Sequence, residues 1–223
     1  MSAETSAGVD NGGPAVAVLV VIFTVVEGEL RVLLIQRSAP PDEGNWAIPG
    51  GALIADESLD AAAVRKLAEE TGVRDVFLEQ LYTFSDLDDS APGGGAAVTY
   101  FALVRNDGVR LAERSAWAPG WFAVNALPVL AFHNERVLEV ARARLVSKLE
   151  YTNAAYSLLP DFFAMSQLQG IYESILGRKL DKRNFRRRML ASDLLRETQQ
   201  TAKTGPHRPA RLYRFARRTP VEF

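Results

Sequence analysis

The stretch Arg65-Lys66-Leu67-Ala68-Glu69-Glu70-Thr71-Gly72 sets two adjacent carboxylates beside two cations. On a helix, positions 66, 69 and 70 stand at i, i+3 and i+4 and share one face. Three carboxylates so placed would hold Mg²⁺, a hard cation that prefers oxygen ligands and works with substrate phosphates. A further carboxylate, Glu57, lies upstream, and Pro49-Gly50-Gly51 lets backbone come close to such a centre. Lys66 breaks the pattern. With three glutamates the face would carry a formal charge of −3; with Lys66 it carries −1. A protonated amine cannot ligate Mg²⁺, repels an incoming cation, and can pair with Glu69 or Glu70 in its place. Taken alone, Lys66 and Glu70 would be an ordinary solvated pair on a helix surface.

A second group of residues points to a different partner. Lys182, Arg183, Arg186, Arg187 and Arg188 crowd one short segment together with Asn184. Arginine reads guanine and asparagine reads adenine in the major groove, while surplus cations hold phosphates. Arg208, Arg211 and Arg214 follow on a predicted ribbon, where they could grip the backbone alongside, and His207 sits near its tip. An arginine-rich helix in isolation is as compatible with a solvated face or an acidic protein partner.

The elements that must position these groups are legible in outline. AVAVLVVIFTVV and LRVLLIQR, separated by Glu27-Gly28-Glu29, read as a hairpin. PPDEGNWAIPGG reads as a loop. Ser58 to Thr71 has its apolar stripe at Leu59, Ala62, Ala63 and Leu67 and is closed by Gly72. VFLEQLYTFS and AAVTYFALV read as strands, and Glu135 to Leu149 as a helix with Val137, Leu138, Ala141, Leu145 and Leu149 on one face. Strands flanked by two helices predict an α/β or α+β sandwich. Beyond Tyr151, Ser166 is expected to cap the amphipathic helix SQLQGIYESILG, and Asp181 the basic helix KRNFRRRML, with Phe185 and Met189 inward. DLLRETQQ and ARLYRFA flank a turn. Helix, short turn, basic helix and ribbon is the order of a winged helix-turn-helix.

Composition agrees with two modules. The 223 residues carry a net charge of −1 that conceals a split: residues 1–150 hold 12 Lys+Arg against 21 Asp+Glu, and residues 151–223 hold 14 against 6. The basic half would seek a polyanion. No run reaches the ~18 apolar residues of a membrane span. The N-terminal MSAETSAGVDNGGP lacks the basic and apolar regions of a secretory signal. The absence of cysteine fits a reducing cytoplasm. The expected organisation is a mobile tail at 1–13, a sensing domain at 14–150 and a DNA-binding domain at 151–223.

Gly51, five residues, Glu57, seven residues, then Arg65-Lys66-Leu67-Ala68-Glu69-Glu70-Thr71-Gly72-Val73 resembles the Nudix box, G-x(5)-E-x(7)-R-E-U-x-E-E-x-G-U, with U aliphatic. Every fixed position matches except Lys66, which stands where the family has glutamate. The segments LEYTNAAYSLLPDFFAMSQLQGIYESILGRKLDKRNFRRRML and RPARLYRF are similar to the second domain of Nudix-related transcriptional regulators, and the likeness spans about residues 14–217. The resemblance implies a Nudix sandwich followed by a winged helix-turn-helix. It also implies a homodimeric repressor on palindromic double-stranded DNA, released by ADP-ribose or a related nucleotide and tied to NAD metabolism. The chain departs from the group at Phe132-His133-Asn134, where an FDH-like triplet is common, and at Asp86 to Ser90, where a DPR-like loop is common. Both loops are candidate ligand contacts.

The box formed by Gly51, Glu57, Arg65, Lys66, Glu69 and Glu70 is therefore expected to be degenerate through Lys66, with no required cofactor and at most weak Mg²⁺ binding at Glu69 and Glu70. Expected nucleotide contacts are Arg37, Arg65 and Lys66 for phosphates, and Trp46, Tyr82 and Phe84 for a base. Expected DNA contacts are Lys182, Arg183, Asn184, Arg186, Arg187, Arg208 and Arg211. The competing reading is an active Mg²⁺-dependent ADP-ribose pyrophosphatase with an accessory C-terminal domain, kept open by Glu57, Glu69 and Glu70. An adaptor with neither activity is the third.

Overall fold

The computed structural model describes residues 16–54, 56–74, 76–85, 87, 95–111, 118–202 and 209–221. The expected tail at 1–13, Asp86, Asp88 to Ser90, His207 and Arg208 lie outside the described residues.

The valine-rich run becomes β1 (Val16–Val26), turns on Glu27 and Gly28, both with positive φ, and returns as β2 (Glu29–Gln36). A two-residue turn with φ positive at both positions matches the strand twist, and pairs Val26 with Glu29. Two short strands follow, β3 (Trp46–Ala47) and β4 (Gly50–Ala52), then α1 (Leu59–Thr71), β5 (Phe77–Phe84), β6 (Ala96–Leu103), β7 (Pro119–Ala123) and α2 (Asn134–Tyr151). The sheet runs β3-β2-β1-β6-β5, with β4 beside β1 and β7 beside β2. β1 and β6 are parallel, from Val16 opposite Ala96 to Phe23 opposite Leu103, and the other pairings are antiparallel.

β1 explains why its sequence is apolar without alternation. Val18, Val20 and Ile22 join a cluster with Ala62, Ala63 and Leu67 of α1. Val21 and Phe23 join the opposite cluster with Val137, Ala141 and Leu145 of α2. A strand covered on both faces loses its polar positions. The expected sandwich is thus the observed one. The loop reading of PPDEGNWAIPGG needs correction at Trp46–Ala47 and Gly50–Ala52, which are strands because β2 and β1 supply their pairing.

The C-terminal module contains a 3₁₀ turn (Ala154–Leu158), β8 (Phe163–Ala164), α3 (Met165–Leu176), α4 (Lys182–Ala191), β9 (Leu195–Ala202) and β10 (Ala210–Phe215), with strand order β8-β10-β9. Asp181 caps α4 by accepting from the Asn184 N–H at 2.8 Å. Ser166 does not cap α3. The chain leaves β8 directly into the helix, Ala164 takes the capping position, and the Gln167 side chain accepts from its N–H at 2.8 Å.

The two modules share one core. The cluster under α2 continues through Tyr156, Leu158, Leu168 and Tyr172 to Phe185, Met189, Tyr213 and Phe215. Ser157 also accepts from the Phe77 N–H of β5 at 2.7 Å. Among the described residues, no helix is long and apolar enough to cross a membrane.

Candidate sensor cleft and nucleic-acid interface

Ser58 starts α1 by accepting from the Ala61 N–H at 3.1 Å, and Gly72 ends it at φ 69° with its N–H on the Ala68 carbonyl at 2.9 Å. This frame turns Ala62, Ala63 and Leu67 inward and leaves Arg65, Lys66 and Glu69 at the surface side, while Glu70 is buried at 1% exposure. Arg65 grips Glu57 with two hydrogen bonds of 2.8 Å and reaches Glu69 at 3.2 Å. The Lys66 ammonium sits 3.0 Å from the other Glu69 oxygen. The expected pairing of Lys66 is thus made with Glu69.

The electrostatics follow the contacts. Arg65 holds the Glu57 carboxyl below its ordinary range, chiefly through the hydrogen bonds. At Glu69, partial burial pushes the carboxyl up, but hydrogen bonds from Lys66 and Arg65 outweigh it and the net direction is down. Glu57 raises Arg65 in turn. These carboxylates already face cations on the sides a metal would approach. Among the described residues, no group of three or more His, Asp or Glu is arranged to hold a metal ion. Lys66 takes the place of one carboxylate in the set that a Nudix box implies for Mg²⁺, and its ammonium is bonded to Glu69.

A cavity of about 330 Å³ opens beside this cluster, walled by Leu19, Ile35, Arg37, Ile48, Gly51 and Phe132 among others. Lys66 is not itself a wall residue, but its ammonium lies against one: a Cβ placed on Gly51 would stand 3.1 Å from its nitrogen, so glycine there makes room for the ammonium. The Arg37 guanidinium stacks 4.3 Å above the Phe132 ring and donates to the Pro41 and Ala39 carbonyls. Trp46 and Phe84 are not on the wall. Trp46 packs edge-on to Phe122 at 4.5 Å, and Phe84 is a core residue at 4% exposure. Tyr82 is exposed, with its ring 5.0 Å from Phe84.

Phe132, Asn134 and Leu87, from the two loops expected as ligand contacts, stand on the wall, while Leu19, Ile35 and Ile48 were not expected there. Phe132 and His133 both adopt positive φ, 54° and 48°, a conformation unfavourable by about 1 kcal/mol or more per non-glycine residue. Buried Asn134 secures the bend by accepting from the Ile48 N–H at 2.7 Å and donating to the Phe132 carbonyl at 3.2 Å. The α2 helix therefore begins on the cavity wall. Its far end supplies the Glu150 carbonyl, which accepts from Arg188 of α4 at 3.3 Å.

On α4, Phe185 and Met189 are buried, while Lys182, Arg183, Asn184, Arg186 and Arg187 are exposed. Lys182 and Arg186, and Arg183 and Arg187, are i, i+4 pairs on the outer face. Arg187 donates to Asn184 at 3.1 Å. Arg186 leans toward the ribbon, donating to the Tyr213 hydroxyl at 2.8 Å, and Arg211 pairs with Glu197 at 2.6 Å. The ribbon and helix thus present their cations together, and Arg188 faces the sensor module.

Glu173 fixes the turn between α3 and α4. It accepts from the Leu180 N–H at 2.9 Å, from Gln169 at 2.8 Å and from Lys179 at 2.9 Å. The Leu180 N–H is the first cause that draws its carboxyl down to about 2. A depressed carboxyl stabilises the fold above its unfolded value, and that contribution fades as pH falls from ~4.3 toward the folded value. Glu173→Gln should therefore remove the share of acid-dependent stability that Glu173 contributes between about pH 4 and 2. Thermal melts of both proteins across that window check it; identical pH profiles would contradict it.

A Nudix sandwich carrying a winged helix is the class these observations define. A family model for the Nudix domain matches residues 13–142, and one for the NrtR DNA-binding winged helix domain matches residues 155–215. An ADPR-responsive transcriptional repressor of Acinetobacter baylyi is 41% identical over 214 residues, covering 93% of this chain and 84% of that protein. The crystal structure of Shewanella oneidensis NrtR with a 27mer DNA superposes with a TM-score of 0.80 at 35% identity, over 90% of this chain and 93% of that one. The Nudix domain of the same protein, complexed with ADP ribose, superposes at 0.52 with 34% identity, over 60% of this chain and 90% of that one. The chain belongs to the NrtR family of Nudix-related transcriptional regulators.

Proposed function

We propose that the chain is a transcriptional repressor whose Nudix domain binds ADP-ribose or a related nucleotide and controls operator binding by α4. The observation that carries this reading is the placement of α2. It begins at Asn134 on the wall of the cleft and ends at the carbonyl that holds Arg188 of the basic helix. The DNA-bound and ADP-ribose-bound structures of the Shewanella relative support both ends of the reading. A homodimer would present two α4 helices about one duplex turn, ~34 Å, apart on a palindrome. Nucleotide would bind one domain arrangement better than another and so disturb that spacing.

The same reading makes the Nudix domain a poor hydrolase, because Arg65 and Lys66 occupy the oxygens of Glu57 and Glu69. Retention of Glu57, Glu69 and Glu70 in the box favours the alternative, an ADP-ribose pyrophosphatase. Fluorescence anisotropy on a palindromic duplex, with salt and ADP-ribose varied, tests the proposal. Affinity should fall steeply with salt as phosphate contacts release counterions, and fall again with nucleotide. Salt-insensitive binding, or none, would overturn it.

A further inference from the structure

We infer that the Lys66 ammonium is a built-in cation for the nucleotide's diphosphate, so that effector binding needs no divalent metal. The inference rests on the reading that this cleft takes a nucleoside diphosphate. Four charged groups meet here: Glu57, Arg65, Lys66 and Glu69. A metal at Glu69 and Glu70 would have to break the Glu69 contacts of 3.2 and 3.0 Å. It would also stand against a fixed ammonium, which low-dielectric surroundings make costly.

The ammonium lies beside Gly51, a wall residue of the cavity. Its side chain is 14% exposed, and it fills the space that a Cβ on Gly51 would need, at the cavity wall. Lysine is a compact point charge that binds phosphate oxygens without geometric demands. Arg37 lines the same cavity, with its guanidinium tethered to backbone carbonyls and to Phe132. An anionic linker there would meet Arg37 on the wall and have the Lys66 ammonium next to Gly51. A metal-dependent Nudix centre would offer carboxylates bridged by Mg²⁺.

The test is calorimetric titration of ADP-ribose into the full chain, once with Mg²⁺ and once with EDTA. The expected result is the same affinity in both buffers. Lys66→Gln should bind about 10-fold or more weakly in both, since a charge-assisted hydrogen bond is lost. Lys66→Glu should bind poorly in EDTA and recover with Mg²⁺, because it completes a carboxylate set. Lys66→Arg keeps the charge and should stay indifferent to metal, so the inference remains testable if a charge-removing variant fails to fold. Wild-type binding that vanishes in EDTA overturns the metal-free cation alone and leaves the nucleotide sensor standing. Absence of heat in both buffers overturns both.

Discussion

Replacing Arg183 and Arg187 together with alanine should reduce operator affinity on the order of 100-fold or more while the protein stays folded. Both side chains stand on the exposed face of α4, one turn apart, while Phe185 and Met189 hold the opposite face in the core. Each arginine that contacts a base or phosphate contributes roughly 1–3 kcal/mol, and loss of two phosphate contacts should flatten the salt slope by about 2. The helix itself should persist, because alanine is the strongest helix former and the Asp181 cap is untouched. Arg188→Ala is the internal control. Its guanidinium is spent on the Glu150 carbonyl, so it should weaken binding far less and should blunt the response to nucleotide. Anisotropy titrations of the three proteins settle the ranking. An Arg188→Ala loss equal to that of the double variant would place the interface on another face.

Asn153→Ala should lower unfolding stability by about 2 kcal/mol, the sum expected for several half-buried hydrogen bonds. Asn153 lies in the segment joining the modules and is 2% exposed. Its amide donates to the Arg217 and Thr219 carbonyls at 3.0 and 2.9 Å, and its oxygen accepts from the Val221 N–H at 2.8 Å. Arg218 adds donations to the Tyr156 and Leu159 carbonyls at 2.8 and 2.9 Å. The chain after β10 is thus strapped across the connector. Alanine leaves the two carbonyls and the N–H without their Asn153 partner at half-buried positions, so three hydrogen bonds are lost at once. Because the modules share one core, unfolding in urea should remain a single transition at a lower midpoint. A shift below about 1 kcal/mol would show that the strap is not structural.

The residues that were legible in the sequence are those whose behaviour is set locally. Ser58 and Gly72 bound α1, Asp181 starts α4, and Glu27-Gly28 turns the hairpin, each through contacts within a few residues. What escaped depends on distant partners. β3 and β4 lie in a Pro- and Gly-rich stretch and exist because β2 and β1 pair with them. Ser166 has the chemistry of a cap, but the strand entering from Phe163–Ala164 places the cap two residues earlier, at Ala164. Phe84 and Trp46 have the rings a base would stack on, yet the sheet commits both to packing. Asn134 reaches the cleft through a contact with Ile48, 86 residues away, which no local pattern announces.

Lys66 was the informative exception. A single residue out of register with the Nudix box fixed the question, and the structure shows its ammonium pinned between Glu69 and Gly51. Its neighbours show a division of labour that spacing alone did not. Arg65 neutralises Glu57 and part of Glu69, Lys66 takes the remaining oxygen of Glu69, and Arg37 lines the cavity.

The most direct measurement follows both outputs in one tube: labelled operator DNA bound to the full chain, titrated with ADP-ribose in Mg²⁺, with the nucleotide recovered and chromatographed at each point. The account predicts that DNA leaves the protein while the ADP-ribose comes back intact. Rapid conversion to AMP and ribose phosphate, with the DNA still bound, would contradict it.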